Sequence, residues 1–252
     1  MGKKKERRMS KSAAVYIPVG VLLITLLTIM GTSGFLRVTE IIISGATIYS
    51  EEDIIALSGI SMGDNLLFID AGGAERRVQG AMPFINSAKV SRMAPDKVRI
   101  EVAESTAIAS IEFQGDYVLI DSTGRVLQRS DKAPVGLIEI LGIEPSEAVE
   151  GIRLRIGQGG EMQLQYMLDV LAAIEREGIQ DGVSYLDVSY LAQITFGYLD
   201  RFRVVLGGPN NLRQKLSSLP GAIAAAEERA PHGATGTLRS ELTGEWAWTA
   251  DY

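Results

Sequence analysis

The sequence contains no cysteine and a single histidine among its 252 residues. The lack of cysteine excludes disulfides, thiol nucleophiles and thiolate metal sites. His232 stands between a proline and a glycine, a setting typical of a solvent-exposed loop. A metal centre built on several histidines is therefore excluded within one chain.

Signatures of catalysis are also scarce. The serine-acylation motif Ser-x-x-Lys does not occur. The segment Gly157-Gln158-Gly159-Gly160 precedes a predicted helix, but it lacks the Gly-Lys-Ser/Thr ending of a phosphate-binding loop. We predict a protein without catalytic residues, cofactor or metal. A membrane-anchored extracytoplasmic hydrolase is kept as an alternative.

Positive charge is concentrated at the N-terminus. Residues 1–12 hold six basic residues and one acidic residue, a net charge of +5. The remainder holds 19 basic and 30 acidic residues, a net charge of −11. An acidic body repels phosphates, so nucleic acid is excluded as the main partner.

A long uncharged stretch follows this basic tail. No charged residue lies between Lys11 and Arg37, and residues 13–31 are almost wholly apolar. At 1.5 Å per residue they span roughly 28 Å of helix, about the thickness of a bilayer's hydrocarbon core. We predict a cytoplasmic tail over 1–12 and a transmembrane helix over 13–34, oriented by the basic flank. A cleavable signal peptide is the alternative, but its apolar region would be shorter.

Residues 35–104 predict a small α+β domain. The predicted elements are, in order, a strand at 35–44, helices at 51–57 and 69–81, and strands at 85–93 and 97–104. Ser50 and Asp53 form a capping box at the first helix. The order β-α-α-β-β predicts a three-stranded sheet with two helices on one face.

Residues 105–242 predict a second, mixed α/β domain, followed by a tail or edge strand at 243–252. Predicted strands lie at 107–113, 117–120, 126–127, 183–189, 193–197, 201–206, 236–242 and 245–250, and predicted helices at 161–177 and 210–229. Gly178 is expected to end the first helix. Pro220 and Gly221 are expected to kink or split the second.

At this point the sequence resembles a known family. Residues 58–70 read SGISMGDNLLFID, which is similar to the POTRA-domain signature of the FtsQ/DivIB cell-division proteins. The segments at 83–92 and 95–102 resemble its continuation, and those at 118–121 and 124–127 resemble the start of the family's β-domain. The similarity extends over residues 13–242. One departure is Glu104-Ser105-Thr106-Ala107, where the family commonly has Glu-Arg-x-Pro.

The resemblance implies a non-enzymatic, single-pass scaffold of the bacterial divisome in the plasma membrane at the division septum. Its implied partners are bitopic coiled-coil proteins of the FtsB/DivIC and FtsL types, and the septal peptidoglycan synthase complex that they regulate. The implied fold is a transmembrane helix, an extracytoplasmic POTRA domain and a β-domain. An outer-membrane assembly or secretion component with POTRA domains is the alternative, but the chain is short for such a protein.

Two groups of residues are singled out. The partner-binding group, placed on the last strands by the resemblance, comprises Leu238, Glu241, Trp246, Trp248 and Tyr252. The three aromatic residues share one face of a strand, and aromatic residues commonly anchor interfaces. Alternatively, Trp246 and Trp248 cover the domain's own core, or the tail is disordered. The POTRA signature, with mainly structural roles, comprises Gly59, Gly63, Asn65, Leu66, Ile69 and Asp70.

Overall fold

The computed structural model describes residues 11–32, 36–208, 210–229, 235–241 and 245–250. The described residues fall into two compact units. The first lies within residues 1–79 and 85–104, and the second lies within residues 80–84 and 105–252.

Helix α1 covers Lys11–Thr32 and continues through Pro18. Its large apolar side chains from Val15 to Ile29 are exposed. In the part of the chain that the structure describes, no helix combines the length and the apolar character needed to cross a membrane. The transmembrane segment at 13–34 therefore stays a prediction.

The first unit has the predicted β-α-α-β-β order. Its elements are β1 (Glu40–Ser44), α2 (Glu51–Ser58), a 3₁₀ turn (Leu66–Phe68), α3 (Ala71–Ala81), β2 (Ile85–Met93) and β3 (Lys97–Glu104). The sheet order is β1-β3-β2, with β1 parallel and β2 antiparallel to β3. The predicted three-stranded sheet is confirmed.

Buried and more exposed residues alternate along the β2–β3 hairpin, and the buried ones contribute to the core of the first unit. Val98 and Ile100 are fully buried, as are Ile54 on α2 and Val78 on α3. The predicted cap of α2 is also confirmed, because the Ser50 hydroxyl accepts a hydrogen bond from the Asp53 N–H at 3.1 Å. Local sequence signals and tertiary burial therefore agree in this unit.

The first strand is shorter than the sequence predicted. The N–H of Val38 donates to the Asp64 carbonyl at 2.9 Å, and the N–H of Gly63 donates to the Val38 carbonyl at 2.8 Å. Because Val38 bonds to this loop, regular pairing with β3 begins only at Glu40.

The second unit is built on a nine-stranded sheet. Its strands are β4 (Ala109–Phe113), β5 (Asp116–Ile120), β6 (Val126–Ser130), β7 (Ile138–Leu141), β10 (Val183–Asp187), β11 (Ile194–Tyr198), β12 (Phe202–Gly207), β13 (Gly236–Ser240) and β14 (Trp246–Ala250). The order across the sheet is β14-β13-β12-β11-β10-β7-β4-β5-β6. A separate two-stranded ribbon joins β8 (Pro145–Glu147) to β9 (Arg155–Ile156).

Two helices bury the apolar residues of this sheet. They are α4 (Glu161–Glu177), which ends at Gly178 with a left-handed backbone, and α5 (Leu212–Arg229). Helix α5 is the crossover between the parallel strands β12 and β13. It runs unbroken through Pro220, so the predicted split is wrong, whereas the kink stays a prediction. Leu216 and Leu219 are fully buried in the core, and this packing supports the helix around the proline.

Candidate functional site

Strand β14 forms one end of the nine-stranded sheet. It pairs antiparallel with β13, and the N–H of Glu241 donates to the Glu245 carbonyl at 2.8 Å just before the strand. Antiparallel neighbours alternate between hydrogen-bonded and non-hydrogen-bonded pairs. Ala247 and Thr249, two and four residues after Glu245, therefore bond to β13.

The backbone groups of the intervening residues of β14 point to the opposite side of the strand. By the same alternation, the backbone N–H and C=O groups of Trp246, Trp248 and Ala250 point away from β13. Among the residues that the structure describes, no further strand pairs with β14. This outer side is called the β14 edge below, and its hydrogen-bonding groups are those that an added strand would use.

The opposite end of the same sheet is covered by the protein itself. The N–H of Val126 in β6 donates to the Ile152 carbonyl at 2.9 Å, and the N–H of Gly151 donates to the Val126 carbonyl at 2.8 Å. The N–H of Arg129, further along β6, donates to a carboxylate oxygen of Glu150 at 3.0 Å. The segment at 150–153 thus occupies the positions that an added strand would take.

The two tryptophans of β14 are half-buried and pack against the core of the second unit. The indole Nε1 of Trp246 donates to the hydroxyl of Ser218 on α5 at 2.8 Å. Trp248 covers Gly236, where an added Cβ would lie 2.7 Å from its Nε1. The side chains of both tryptophans therefore cover the unit's own core, which is the arrangement that the alternative interpretation describes.

The other residues of the predicted partner-binding group differ in their exposure to solvent. Leu238 in β13 is 1% exposed, so its side chain belongs to the core and not to the surface. Glu241 is exposed next to the end of β13. Tyr252 lies outside the described residues.

The two signature glycines have left-handed backbones. Gly59 ends α2 with φ of 67°, and Gly63 has φ of 89°. An added Cβ at Gly63 would meet nothing within 4 Å, so its constraint comes from the backbone alone.

The remaining signature residues fix the loop between α2 and α3. The Asn65 side chain accepts from the Leu67 N–H at 3.0 Å and so caps the 3₁₀ turn. The Asp70 carboxylate accepts from the Gly73 N–H at 2.9 Å at the start of α3. Leu66 and Ile69 are buried, at 2% and 6% exposure. These contacts give the signature a structural role within the first unit.

A cavity of about 260 Å³ opens beside this loop. It is lined by Gly59, Ile60, Asp64, Asn65, Phe68, Ile69, Asp70 and Arg77. Its charged groups bind the unit's own backbone, since the Arg77 guanidinium donates to the Ser58 carbonyl and the Asp64 carboxylate accepts from the Ser61 N–H.

One motif that the sequence analysis missed lies here. Residues 59–63 also read Gly-x-Ser-x-Gly, the pattern of a nucleophile elbow. An elbow joins a strand to a helix, whereas this segment leaves α2 and enters a 3₁₀ turn. The pattern therefore belongs to the POTRA signature. Within the described parts of the chain, no group of three or more acidic or histidine side chains could hold a metal ion.

Three side chains have shifted pKa values. The hydrogen bond and ion pair with Glu40 raise the pKa of Lys97, and the other two groups, Glu104 and Lys215, bind backbone groups. Burial opposes ionisation of Glu104, but hydrogen bonds from the Thr47 hydroxyl and from the N–H groups of Ile48 and Thr47 outweigh it and lower its pKa. Burial lowers the pKa of Lys215, whose amino group donates to the Leu206 carbonyl at 2.7 Å. Both groups stabilise local structure by these contacts.

Comparison with known proteins identifies related chains. The sequence profile of the POTRA domain, FtsQ-type, matches residues 36–105. The cell division protein FtsQ of Streptomyces griseus is 30% identical over 113 residues, which cover 45% of this chain and 54% of that protein. The cell division protein DivIB of Clostridium tetani is 22% identical over 210 residues, covering 82% and 78%. FtsQ of Caulobacter vibrioides is 36% identical over 102 residues, covering 40% and 33%.

The matched lengths are partial. The chain spans about half of the length of the Streptomyces griseus protein that it matches. A solved structure, the major extracytoplasmic domain of the trans isomer of DivIB from Geobacillus stearothermophilus, aligns with 51% of this chain and 98% of its own length. Its sequence identity is 17% and its TM-score is 0.32.

Proposed function

We propose that this chain, which belongs to the FtsQ/DivIB family of bacterial cell-division proteins, is a non-enzymatic scaffold that binds a strand of another division protein at the β14 edge. The partners in this proposal are bitopic coiled-coil proteins of the FtsB/DivIC and FtsL types. Through them the scaffold would act on septal peptidoglycan synthesis.

The contrast between the two ends of the nine-stranded sheet carries this proposal. The β6 end is covered by the segment at 150–153, whereas the β14 edge presents its backbone groups without a described partner strand. Adding a strand to an exposed sheet edge is an established mode of peptide recognition, in which main-chain hydrogen bonds supply affinity. A short extended segment of a coiled-coil protein has the required chemistry.

We further propose that residues 13–34 attach the chain to the plasma membrane, with residues 1–12 in the cytoplasm and the chain from residue 36 onwards outside. The exposed apolar side chains from Val15 to Ile29 support this arrangement, as does the net charge of +5 on residues 1–12. A reporter enzyme that is active only outside the cytoplasm, fused after Tyr252, is expected to be active. Activity of a cytoplasm-specific reporter at the same position would contradict the orientation.

The domain boundaries at 35–104 and 105–242 are part of the same proposal. The β2–β3 hairpin and the buried faces of α2 and α3 support independent folding of the first. A fragment of residues 36–104 is expected to give dispersed amide resonances. A collapsed, undispersed spectrum would contradict the boundary.

The binding site is tested by substituting Ala250 with proline. Because the N–H of Ala250 points outward, proline removes a donor of the edge while leaving the bonds of Ala247 and Thr249 to β13 in place. We expect affinity for the purified extracytoplasmic segment of the cell's own FtsB/DivIC-type protein to fall about tenfold, from the lost bond and the obstructed strand.

The matched control is Ala250→Ser, which keeps the N–H and is expected to bind as the parent does. Folding of both variants is followed by thermal unfolding. Parental affinity of a folded Ala250→Pro variant would place the binding site elsewhere.

A further inference from the structure

Three large apolar side chains project from the loop between α2 and α3 of the first unit. Met62 is 63% exposed, Leu67 is 51% exposed and Phe68 is 80% exposed. The direction of the last two is fixed, because Asn65 caps the 3₁₀ turn and Leu66 points into the core. These three residues are called the apolar loop patch below.

The patch lies close to the point where the chain enters the first unit. The Gly63 N–H donates to the Val38 carbonyl at 2.8 Å, and Arg37 forms a β-bridge with Asn65. Helix α1 ends at Thr32, five residues before Arg37. Five peptide units reach at most ~19 Å, so the patch is tethered close to the end of an exposed apolar helix.

The charges around the patch suit an interfacial position. The guanidinium of Arg37 donates to the Gly63 carbonyl at 3.4 Å, next to Met62. The nearby carboxylates of Asp64 and Asp70 accept hydrogen bonds from the unit's own backbone N–H groups at 2.8 and 2.9 Å. A guanidinium beside exposed apolar side chains is the chemistry that attracts anionic headgroups and inserts between them.

We propose that the apolar loop patch contacts the lipid surface and seats the first unit on the membrane, an inference that rests on the proposed attachment through residues 13–34. Three side chains are too few for a stable protein interface, which buries about 800 Å² on each partner. Their tether to α1 instead brings them to the surface that holds the helix. A lipid bilayer is therefore the occupant.

The test uses the full chain reconstituted in vesicles of phosphatidylcholine and phosphatidylglycerol, with or without brominated acyl chains. Phe68→Trp puts a fluorophore in the patch. Val135→Trp is the matched control, because Val135 is 99% exposed in the second unit. Both variants share the background of Trp246 and Trp248. We expect brominated lipid to quench the added fluorescence of Phe68→Trp roughly twofold more than that of the control, as for an interfacial side chain.

The outcomes separate this inference from the proposal on which it rests. If both variants float with the vesicles and are quenched equally, the patch does not contact lipid and the inference fails while the attachment stands. A blue-shifted but unquenched Phe68→Trp would indicate a protein occupant and would also overturn it. If neither variant floats with the vesicles, the membrane attachment itself fails, and the inference with it.

Discussion

The two ends of the nine-stranded sheet differ in how their outward backbone groups are satisfied. At β6, the segment at 150–153 supplies carbonyl, N–H and carboxylate partners. At β14, the described residues supply no such strand or segment. Exposed edges invite unwanted pairing, so proteins usually cover them. The open edge at one end of a sheet whose other end is covered is the observation on which the proposed partner site rests.

The first unit gives a partial parallel, at one of its two edge strands, β1 and β2. Its edge strand β2 is also partly covered, because the Val90 N–H donates to the Glu75 carboxylate on α3 at 2.8 Å. The guanidinium of Arg92 further ties β2 to the Ile69 carbonyl at 2.7 Å. Coverage by side chains and loops thus recurs in both units.

The largest expected effect comes from opening the covered end. Leu154 is 2% exposed and anchors the segment after residue 153 in the core. We expect Leu154→Ala to reduce the free energy of unfolding of the second unit by about 3 kcal/mol, from lost burial and the cavity left behind. Urea unfolding followed by tryptophan fluorescence measures this loss. Faster exchange of the Val126 amide should accompany it, because its acceptor Ile152 is loosened.

A matched control lies two residues away. Ile152 is 49% exposed, so Ile152→Ala should change the free energy of unfolding by less than about 0.5 kcal/mol. Equal effects of the two substitutions would show that burial of Leu154 does not hold the covering segment, and the comparison between the two ends would lose its physical basis.

A smaller effect tests whether the Trp246 side chain in β14 stabilises the fold and does not bind the partner. Trp246→Phe keeps most of the aromatic packing but removes the hydrogen bond to Ser218. We expect the free energy of unfolding to fall by about 1 kcal/mol, with affinity for the proposed coiled-coil partner unchanged.

The companion variant is Ser218→Ala, which removes the same hydrogen bond from the α5 side and should cost a similar amount. A Trp246→Phe variant with parental stability but weakened binding would contradict the core role of this tryptophan. It would favour a direct contact of its side chain with the partner.

The smallest effect concerns a carboxylate that binds backbone N–H groups in the first unit. Because hydrogen bonds lower the pKa of Glu104, its contribution to stability is present above the ordinary carboxyl pKa and is lost as the pH falls through the folded-state value. We expect exchange of the Ile48 amide, measured relative to its intrinsic rate at each pH, to accelerate as the pH falls from about 7 to about 3. The contribution is below about 1 kcal/mol because the carboxylate is partly solvated.

Glu104→Gln removes the titration while keeping the side-chain shape. Its Ile48 amide should therefore show a flatter pH dependence than that of the parent. The same pH dependence in both proteins would assign the effect to another group.

Local patterns in the sequence predicted much of the fold. The alternation in β2 and β3 and the helix over Glu161–Glu177 were predicted with the bounds that the structure has. Strand β7 was missed, since it has only four residues and pairs in parallel with β4 and β10 across long stretches of chain. Such non-local pairing leaves little trace in a local pattern.

Prediction of the candidate site from the sequence is limited for the same reason. A spacing of two predicts that Trp246 and Trp248 share a face, but it does not tell which face is covered by α5. In the structure the tryptophans lie on the covered face, so their spacing does not identify a surface for a partner. The outward backbone groups and the covering of β6 depend on the sheet order, which the sequence did not predict.

Amide hydrogen exchange in the presence of the proposed coiled-coil partner shows directly whether a strand is added at the β14 edge. We expect binding to slow exchange of the outward N–H groups of Trp246, Trp248 and Ala250, because they would donate to the added strand. The Val126 amide at the covered end should not change. Unchanged exchange at all three β14 amides in the saturated complex, with protection elsewhere, would contradict strand addition at the β14 edge.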